Sequence, residues 1–378
     1  MAGGIIQLVA VGSQDVYLTA QPQITFWKVV FKRHTNFAIE AIEQTSNGSP
    51  GDGNTIVTSI SRNGDLIHKC YIVMNVPKTG KSKPILTSKD AHNLIESVEL
   101  EIGGQQIDKQ YGDWMTIWNQ LSIPDDKRNG YERMVATDDG KIYIPLQFYF
   151  CQNPGLALPL IALQYHEVRI KIKFTNNLSD YLGTVPHVKL WVDYVYLDTD
   201  ERRLMAQTSH EYLITQLQVD SSHIMEPNIP KTIRLNFNHP VKELIWIVDH
   251  DDNNSPSHLG HMGSLVKLSN DTDHKITLNG HERAVPREGR YYSHVQPYQH
   301  HTCIPSDLEF GGKINVYSFA LKPEEQQPSG SCNFSKIDNA QLKTKAQLMT
   351  GQASLKVFAT NWNILRIDNG VGGLAYCN

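Results

Sequence analysis

The sequence predicts an all-β protein that consists of two consecutive β-sandwiches of the jelly-roll or immunoglobulin type. Its 378 residues are too many for one ordinary sandwich and suit two domains. Many short segments alternate apolar and polar residues and are separated by turns, a pattern typical of sandwiches. Landmarks of the first half also recur in the second half at a nearly constant spacing, which indicates a duplicated domain.

The duplication is visible at several pairs of positions. Gly104 and Gly280 each follow an alternating segment and are 176 residues apart, and Pro154 and Pro328 are 174 residues apart. Three further pairs of segments match in the same order: 148–150 (FYF) with 317–319 (YSF), 168–174 with 340–348, and 191–197 with 355–362.

The composition changes near the middle of the chain. Residues 198–210 are highly charged and have no strand pattern, so we place the domain boundary there. The predicted parts are an N-terminal arm (1–26), a first sandwich (27–205), a linker (206–212) and a second sandwich (213–378).

The arm, residues 1–26, is apolar, almost uncharged and too short to fold alone. We expect it to lie against its own first domain or against a neighbouring molecule. It lacks a basic leading region, so a secretory signal is not expected. Ala2 stands where N-myristoylation requires glycine.

Residues 145–174 are predicted to form the centre of the first sandwich. Asp, Glu, Lys and Arg are absent from 142–166, which raises the question of a membrane-spanning helix. Four residues argue against such a helix: Pro145, Pro154, Gly155 and Pro159. We predict instead a buried strand, a Pro-Gly turn, an apolar crossing and an alternating strand at 168–174.

Other elements follow from periodicity. The remaining predicted strands include 25–33, 55–61, 66–76, 98–102 and 188–197. One helix is predicted after a possible cap at Asp113, because four apolar residues follow at helical spacing: Trp114, Ile117, Trp118 and Leu121. Pro124 should end it. We expect these side chains to lie in the core at one end of a sandwich, with an aromatic ligand site as the alternative.

The charge and cysteine content exclude several classes of function. The net charge of −4 provides no cationic face, so direct binding of nucleic acid is not expected. The five cysteines are widely spaced and form no CxxC pair. We therefore expect free thiols in a reducing compartment.

No catalytic, cofactor or metal site is predicted. Residues 80–82 resemble the end of a phosphate-binding loop, but Asn75 stands where that loop requires glycine. Residues 249–253 are acidic but lack the glycine and glutamate of a calcium loop. Eight histidines lie between 250 and 301, yet no HxH pair of a cupin-like metal site occurs. The role of this histidine-rich region stays open.

Five Asn-x-Ser/Thr sequences are candidate glycosylation sites. They begin at Asn47, Asn177, Asn253, Asn270 and Asn333. All except Asn333 have loop-like surroundings, which indicates exposure of those sites rather than modification.

Several long sequence blocks carry a resemblance to one known family. They include GSQDVYLTAQPQITFWK (12–28), VELEIGGQQIDK (98–109), NPGLALPLIALQYHEVRI (153–170), WVDYVYLDTDER (191–202), LKPEEQQPSGSCNFSKIDNA (321–340) and LRIDNGVGGLAY (365–376). With these blocks the chain resembles the major capsid protein of nucleocytoplasmic large DNA viruses, of the phycodnavirus and chlorovirus type, over nearly its whole length.

The resemblance implies a double jelly roll of two eight-stranded sandwiches with a few short helices, and a structural rather than enzymatic function. It implies homotrimers that form pseudo-hexagonal capsomers, which contact neighbouring capsomers in an icosahedral shell. It further implies that the N-terminal arm faces minor capsid proteins and the internal membrane. The expected location is the virion, assembled in the host cytoplasm, without a cofactor.

Two departures from the family pattern leave alternatives open. The loop between the predicted strands at 244–248 and 275–279 looks short, as does the stretch 136–141. Such loops form the outer tower of the capsomer in the family and can carry glycans. A minor paralogous capsid protein at special lattice positions is therefore one alternative. A cupin-like enzyme or a glycan-binding jelly roll is another.

Overall fold

The structure, a computed structural model, describes residues 3–75, 87–136, 140–176, 178–182, 185–250, 264–283, 285–305, 310–348 and 351–377. The chain forms two compact units, Met1–Asn36 and Phe37–Asn378. No helix in the described ranges is long and apolar enough to cross a membrane.

The first unit contains two short helices, α1 (Gly3–Val9) and α2 (Ser13–Thr19). The Asp15 carboxylate accepts a hydrogen bond of 3.0 Å from the Gly12 N–H at the start of α2. The strand predicted at 25–33 is wrong, because this stretch forms a turn and irregular chain. An alternating pattern becomes a strand only where a second strand satisfies its backbone groups, and none pairs with it here.

The second unit begins with a jelly roll of ten strands. They are β1 (Phe37–Gln44), β2 (Ser46–Asn47), β3 (Thr55–Ser59), β4 (Leu66–Asn75), β5 (Ile95–Ile102), β6 (Gln105–Tyr111), β7 (Lys141–Pro145), β8 (Leu158–Pro159), β9 (Val168–Phe174) and β10 (His187–Leu197). Its helices are α3 (Ser88–His92), α4 (Gly112–Ser122), α5 (Asp125–Val135), α6 (Tyr149–Gln152) and α7 (Leu178–Leu182), with a 3-10 turn at Pro154–Leu156.

A second jelly roll follows helix α8 (Thr199–Gln207). Its strands are β11 (His210–Met225), β12 (Lys231–Leu235), β13 (Pro240–His250), β14 (Ser264–Val266), β15 (Lys275–Leu278), β16 (His281–Glu282), β17 (Asn315–Ser318), β18 (Cys332–Asn333), β19 (Ala340–Thr344), β20 (Ala353–Asp368) and β21 (Val371–Leu374). Its helical segments are a π-helical turn (Tyr291–Val295), α9 (Gln296–His300) and a 3-10 turn (Phe334–Lys336).

The two jelly rolls have the same strand order, which confirms the duplicated domain and the double jelly-roll fold. In the first, the sheets run β1-β10-β4-β7 and β3-β9-β5-β6. In the second, the corresponding paths are β11-β20-β13-β17 and β12-β19-β15-β16. The paired glycines lie in equivalent hairpins: Gly104 between β5 and β6, and Gly280 between β15 and β16, both at positive φ.

Two details of the predicted repeat differ from the structure. FYF at 148–150 is not a strand, because Tyr149 and Phe150 lie in α6. YSF at 317–319 begins in β17, which takes the place that β7 has in the first jelly roll. Three buried aromatic residues in a row can all reach a core from one helical turn, whereas a strand would point the middle one to the opposite face.

The junction between the jelly rolls is more ordered than a linker. Asp198 caps α8 by accepting a hydrogen bond of 2.8 Å from the Thr199 N–H. The predicted linker, 206–212, comprises the end of α8, two connecting residues and the start of β11. The charged composition of this stretch thus belongs to a short helix without buried residues.

Residues 145–174 form the core crossing that the sequence predicts. Leu158, Leu160 and Leu163 are fully or almost fully buried in the core of the first jelly roll. Ile161 is only half-buried and is not part of the buried cluster that forms this core.

A charge at Leu158 is expected to abolish folding, because an aspartate there would be buried without a partner. Leu158→Ala should cost roughly 2–5 kcal/mol of unfolding free energy, as for other buried leucines. The sequence alone predicts the same loss for a charge at Ile161. The structure instead predicts a smaller loss for Ile161→Asp. Urea unfolding and soluble yield of the three variants test this order, and equal damage from both aspartates would contradict it.

Candidate assembly interface

One sheet of the second jelly roll is apolar on both faces. Alternate residues of β13, such as Leu244 and Trp246, face the core of the second jelly roll. The intervening residues form an outer face, called here the covered face. It consists of Leu217, Val219, Ile245, Ile247, Val316 and Phe358.

Helix α4 of the first jelly roll packs on the covered face. Its four predicted apolar residues are buried there: Trp114, Ile117, Trp118 and Leu121. The ring centroids of Trp114 and Phe358 are 5.7 Å apart. The opposite side of α4, including Met115, packs in the core of the first jelly roll. The helix prediction is confirmed, but its apolar stripe lies between the two jelly rolls and not inside one sandwich.

Polar contacts fix the same interface. Lys356 Nζ of β20 lies 2.6 Å from the Asp113 carboxylate at the start of α4. The Leu217 N–H donates a hydrogen bond of 3.0 Å to Asp108 Oδ1. Burial raises the pKa of the Asp108 carboxyl to about 6. Tyr111 is the residue at the helix cap, so Asp113 serves the ion pair and not the predicted cap.

The corresponding sheet of the first jelly roll has an outer face that is only partly buried and mixes apolar with charged side chains, called here the open face. Its apolar residues lie on four strands and include Ile39, Tyr71, Tyr143, Trp191 and Val195. Charged residues of the same face lie between them: Glu43, Lys141, Lys189 and Asp193. Ile39 is 55% exposed and Tyr143 is 37% exposed. Their strand neighbours, such as Ile72 and Leu190, face the core. The two jelly rolls therefore differ in one respect: one outer face is covered and its repeat is open.

A buried cluster of charged groups joins β13 to the segment after α9. The side chain of His301 is fully buried, with Nε2 3.0 Å from Glu243 Oε2 and Nδ1 2.8 Å from Glu324 Oε1. The adjacent Lys242 donates to the Pro323 carbonyl at 2.9 Å. Its Nζ lies 4.5 Å from the centre of the Trp362 ring.

The cluster shifts the pKa of His301, Glu243 and Lys242. Burial alone would lower the pKa of His301, but Glu243 and Glu324 outweigh it and raise the pKa to about 9. Burial opposes the charge on Glu243, yet His301 holds the pKa of that carboxyl below its usual range. Burial lowers the pKa of Lys242 to about 8. The cluster therefore depends on a protonated His301 between two carboxylates.

The residues singled out in the sequence are dispersed. Asn47, Asn270 and Asn333 are exposed, while Asn177 and Asn253 lie outside the described residues. The exposure of Asn333 was not evident from the sequence around it. All five cysteines are free. Across the part of the chain that is described, no group of three or more His, Cys, Asp or Glu side chains could hold a metal ion.

The described histidines of the histidine-rich region do not share one site. His258 and His261 lie outside the described residues. His274 is buried, and its ring nitrogens contact the Thr344 hydroxyl and the Ser269 carbonyl at 3.0 and 2.9 Å. His281 and His294 are exposed. His301 alone joins a buried charged cluster, which the sequence did not predict. The sequence feature that could have indicated this cluster is Glu243, a glutamate in the otherwise largely apolar segment KELIWIV.

Replacing His301 by glutamine is expected to cost roughly 3–5 kcal/mol of stability at neutral pH, because it leaves Glu243 buried without its cation. The folded-state pKa of His301 is raised to about 9. Its contribution is therefore complete below the unfolded-state pKa of about 6.5 and is lost as the pH rises through about 9.

Urea unfolding of both proteins across this pH window measures the difference in unfolding free energy. The difference should shrink toward the alkaline end. Lys242 also titrates in this window, with a pKa of about 8, but it is present in both proteins, so its contribution cancels in the difference. A difference that does not change with pH would contradict the assignment of charge to His301.

Comparison with known proteins gives a consistent result. Residues 25–198 match the family model described as "Major capsid protein N-terminus", and residues 201–373 match "Large eukaryotic DNA virus major capsid protein". The chain is 49% identical to the major capsid protein of Pyramimonas orientalis virus and 42% identical to that of Paramecium bursaria Chlorella virus 1, each over the full length of both chains.

Solved structures support the same relationship. A chain of the PBCV-1 virus capsid superposes with a TM-score of 0.80 at 37% identity, over 94% of this chain and all of that one. The Faustovirus major capsid protein shares the fold, with a TM-score of 0.73 at 12% identity over 95% of this chain and 94% of that one. The chain belongs to the major capsid protein family of large eukaryotic DNA viruses.

Proposed function

We propose that this protein is the shell-forming subunit of a virion and that three copies form a capsomer with six jelly rolls in a ring. The observation that carries the trimer is the open face. Its counterpart in the second jelly roll is buried under α4, whereas the open face exposes Ile39 and Tyr143. Exposed apolar side chains bordered by charged ones, here Glu43 and Lys189, are typical of a protein–protein interface.

The repeated fold supports a ring. Within one chain, an element of the first jelly roll covers a face of the second, which is a head-to-tail contact between two similar bodies. Head-to-tail contacts generate closed rings when the rotation closes and filaments when it does not. A closed ring of three chains contains six jelly rolls, which gives a nearly hexagonal outline suited to tiling a shell.

The N-terminal arm is proposed to contact neighbouring capsomers, minor capsid proteins and the side of the shell that faces an internal membrane. The side chains of Leu8 and Leu18 in the arm, and of Trp27 directly after it, are at least four-fifths exposed. Apolar side chains that remain this exposed need a partner to be buried.

The test of the trimer is the solution mass of the purified protein with negative-stain images. The expected result is a hexagonal particle of about three times 42.7 kDa. An obligate interface of the expected kind buries at least about 2,000 Å² in total, so the trimer should persist at micromolar concentration. A monomer under these conditions would overturn the proposal.

Deleting residues 2–24 is expected to leave the trimer intact and to impair assembly of the shell, because the arm is proposed to act between capsomers. Solution mass reports the trimer, and electron microscopy of coexpressed capsid components reports the shell. Deleting residues 377 and 378, of which Cys377 is exposed, provides a control truncation that should preserve both. Normal shells from the arm deletion would contradict the proposed role.

A further inference from the structure

We infer that Cys70 and Cys151 are a redox-sensitive pair, which oxidation converts into a disulfide bond that locks the core of the first jelly roll. The two thiols are hydrogen-bonded to each other. Both side chains belong to the same core cluster, with exposed fractions of 1% and 4%. The inference goes beyond the proposed function and does not depend on the trimer, because both residues lie in one chain.

The fold holds the two cysteines together through contacts on either side of them. Cys70 lies in β4, and its carbonyl accepts a hydrogen bond of 2.9 Å from the Leu146 N–H. The ring of His68, two residues before Cys70, contacts the Phe150 carbonyl through Nδ1 at 2.7 Å. Phe150 directly precedes Cys151 in α6. Because these contacts keep α6 against β4, closing a disulfide between the touching thiols requires little movement of the backbone.

Other cysteines of the chain have different neighbours. The Cys303 thiol lies 3.1 Å from Asp125 Oδ1 and 3.1 Å from a terminal nitrogen of Arg128. The Cys377 thiol is exposed, and the Gln105 side-chain amide donates to it at 3.5 Å. A thiol beside a second thiol is oxidised to an internal disulfide more readily than these, because its reaction partner is already in place.

The oxidation is a thiol–disulfide exchange with a small disulfide such as oxidised glutathione. One cysteine loses its proton, and its thiolate attacks a sulfur of the oxidant and releases one glutathione thiolate. The second cysteine, as a thiolate, attacks the resulting mixed disulfide, forms the bond between Cys70 and Cys151 and releases the second glutathione thiolate. Two electrons pass from the protein to the oxidant, and the two protons from the cysteines protonate the two released thiolates.

The structure makes this exchange slow while the fold is closed. The hydrogen bond with Cys151, together with burial, raises the pKa of the Cys70 thiol well above its usual range. Because the thiolate is the attacking species, the pair reacts only when local opening exposes it. The pair therefore stays reduced in a reducing compartment and is oxidised on long exposure to an oxidising medium.

The disulfide joins two parts of the chain on which the first jelly roll depends. Strand β4 lies inside its sheet and pairs with both β10 and β7, and α6 belongs to the core crossing at 145–174. The loop that the bond closes, from 70 to 151, contains α4, which covers the second jelly roll. A crosslink across so long a loop stabilises the fold mainly by restricting the unfolded chain. We expect oxidation to raise the midpoint temperature of unfolding by about 5–10 °C.

The first test detects the bond by mass spectrometry. The purified full-length protein is incubated with oxidised glutathione, free thiols are blocked with N-ethylmaleimide, and its peptides are analysed without reduction. The expected product is a peptide with Cys70 linked to a peptide with Cys151, which dithiothreitol separates. Urea below the unfolding transition should accelerate formation of the link at least about 10-fold, because local opening exposes the thiols.

Thermal unfolding of matched variants tests what the bond does. Cys70→Val and Cys151→Ala each remove the pair and leave an apolar side chain in the core. The control carries Cys332→Ser and Cys377→Ser, which remove two cysteines outside the pair. Oxidation should raise the midpoint temperature of the wild type and of the control, and reduction should reverse the rise. The two pair variants should show no rise.

The mass measurement needs only the wild-type chain, so it decides the outcome even if a variant fails to fold. Both thiols recovered as N-ethylmaleimide adducts after oxidation in urea below the transition would overturn the inference. So would a folded chain in which Cys70 is linked to Cys332 or Cys377 instead. A link between Cys70 and Cys151 without a rise in the midpoint temperature would overturn the locking role. A monomeric protein that forms the link contradicts the proposed trimer and leaves this inference standing.

Discussion

The burial of apolar outer sheet faces is the constraint on which this architecture depends. A β-strand points alternate side chains to opposite faces, so a strand such as β13, apolar at every position from 244 to 248, creates a second surface that water disfavours. The chain covers this surface with α4. Without that cover, the outer side chains Ile245 and Ile247 would be exposed beside Phe358. The contact thereby converts two separate sandwiches into one folding unit.

Charged residues mark the sheet faces that remain in contact with water. On the outer side of β9, Lys173 pairs with Glu96 at 2.6 Å, and Lys171 pairs with Glu101. The partly exposed pair of Lys173 and Glu96 contributes little stability, but charged side chains of this kind keep the outer face of the sheet in contact with water. The same jelly roll therefore has one outer face lined by ion pairs and another on which apolar and charged side chains alternate. This division follows directly from which residues alternate with the core positions.

The duplication explains how one chain can serve both sides of a contact. The equivalent strand paths place similar elements at similar positions, so the helix that covers a face within the chain has a counterpart between the corresponding strands of the second jelly roll. The second jelly roll also carries the buried cluster of Glu243, His301 and Glu324, which fixes the segment that follows the repeated helix. A buried ion cluster of this kind favours one arrangement over others more than it adds stability.

Local patterns determined much of this protein. Alternation predicted β3, β4, β9 and β10 closely, helical spacing predicted α4, and the repeated landmarks predicted two similar sandwiches. These features depend on residues close in sequence, whose periodicity directly reflects burial. The sequence also showed that α4 carries an apolar stripe and that Trp191 and Val195 are apolar residues of an alternating strand.

What those residues touch was decided only by the tertiary structure. The sequence cannot distinguish a helix that fills its own sandwich from one that covers its neighbour, because both need the same apolar stripe. It likewise could not reveal that residues 25–33 lack a partner strand, or that His301 lies between two carboxylates from distant segments. Pairing, covering and charge compensation are contacts between residues far apart in the chain, and only the fold brings them together.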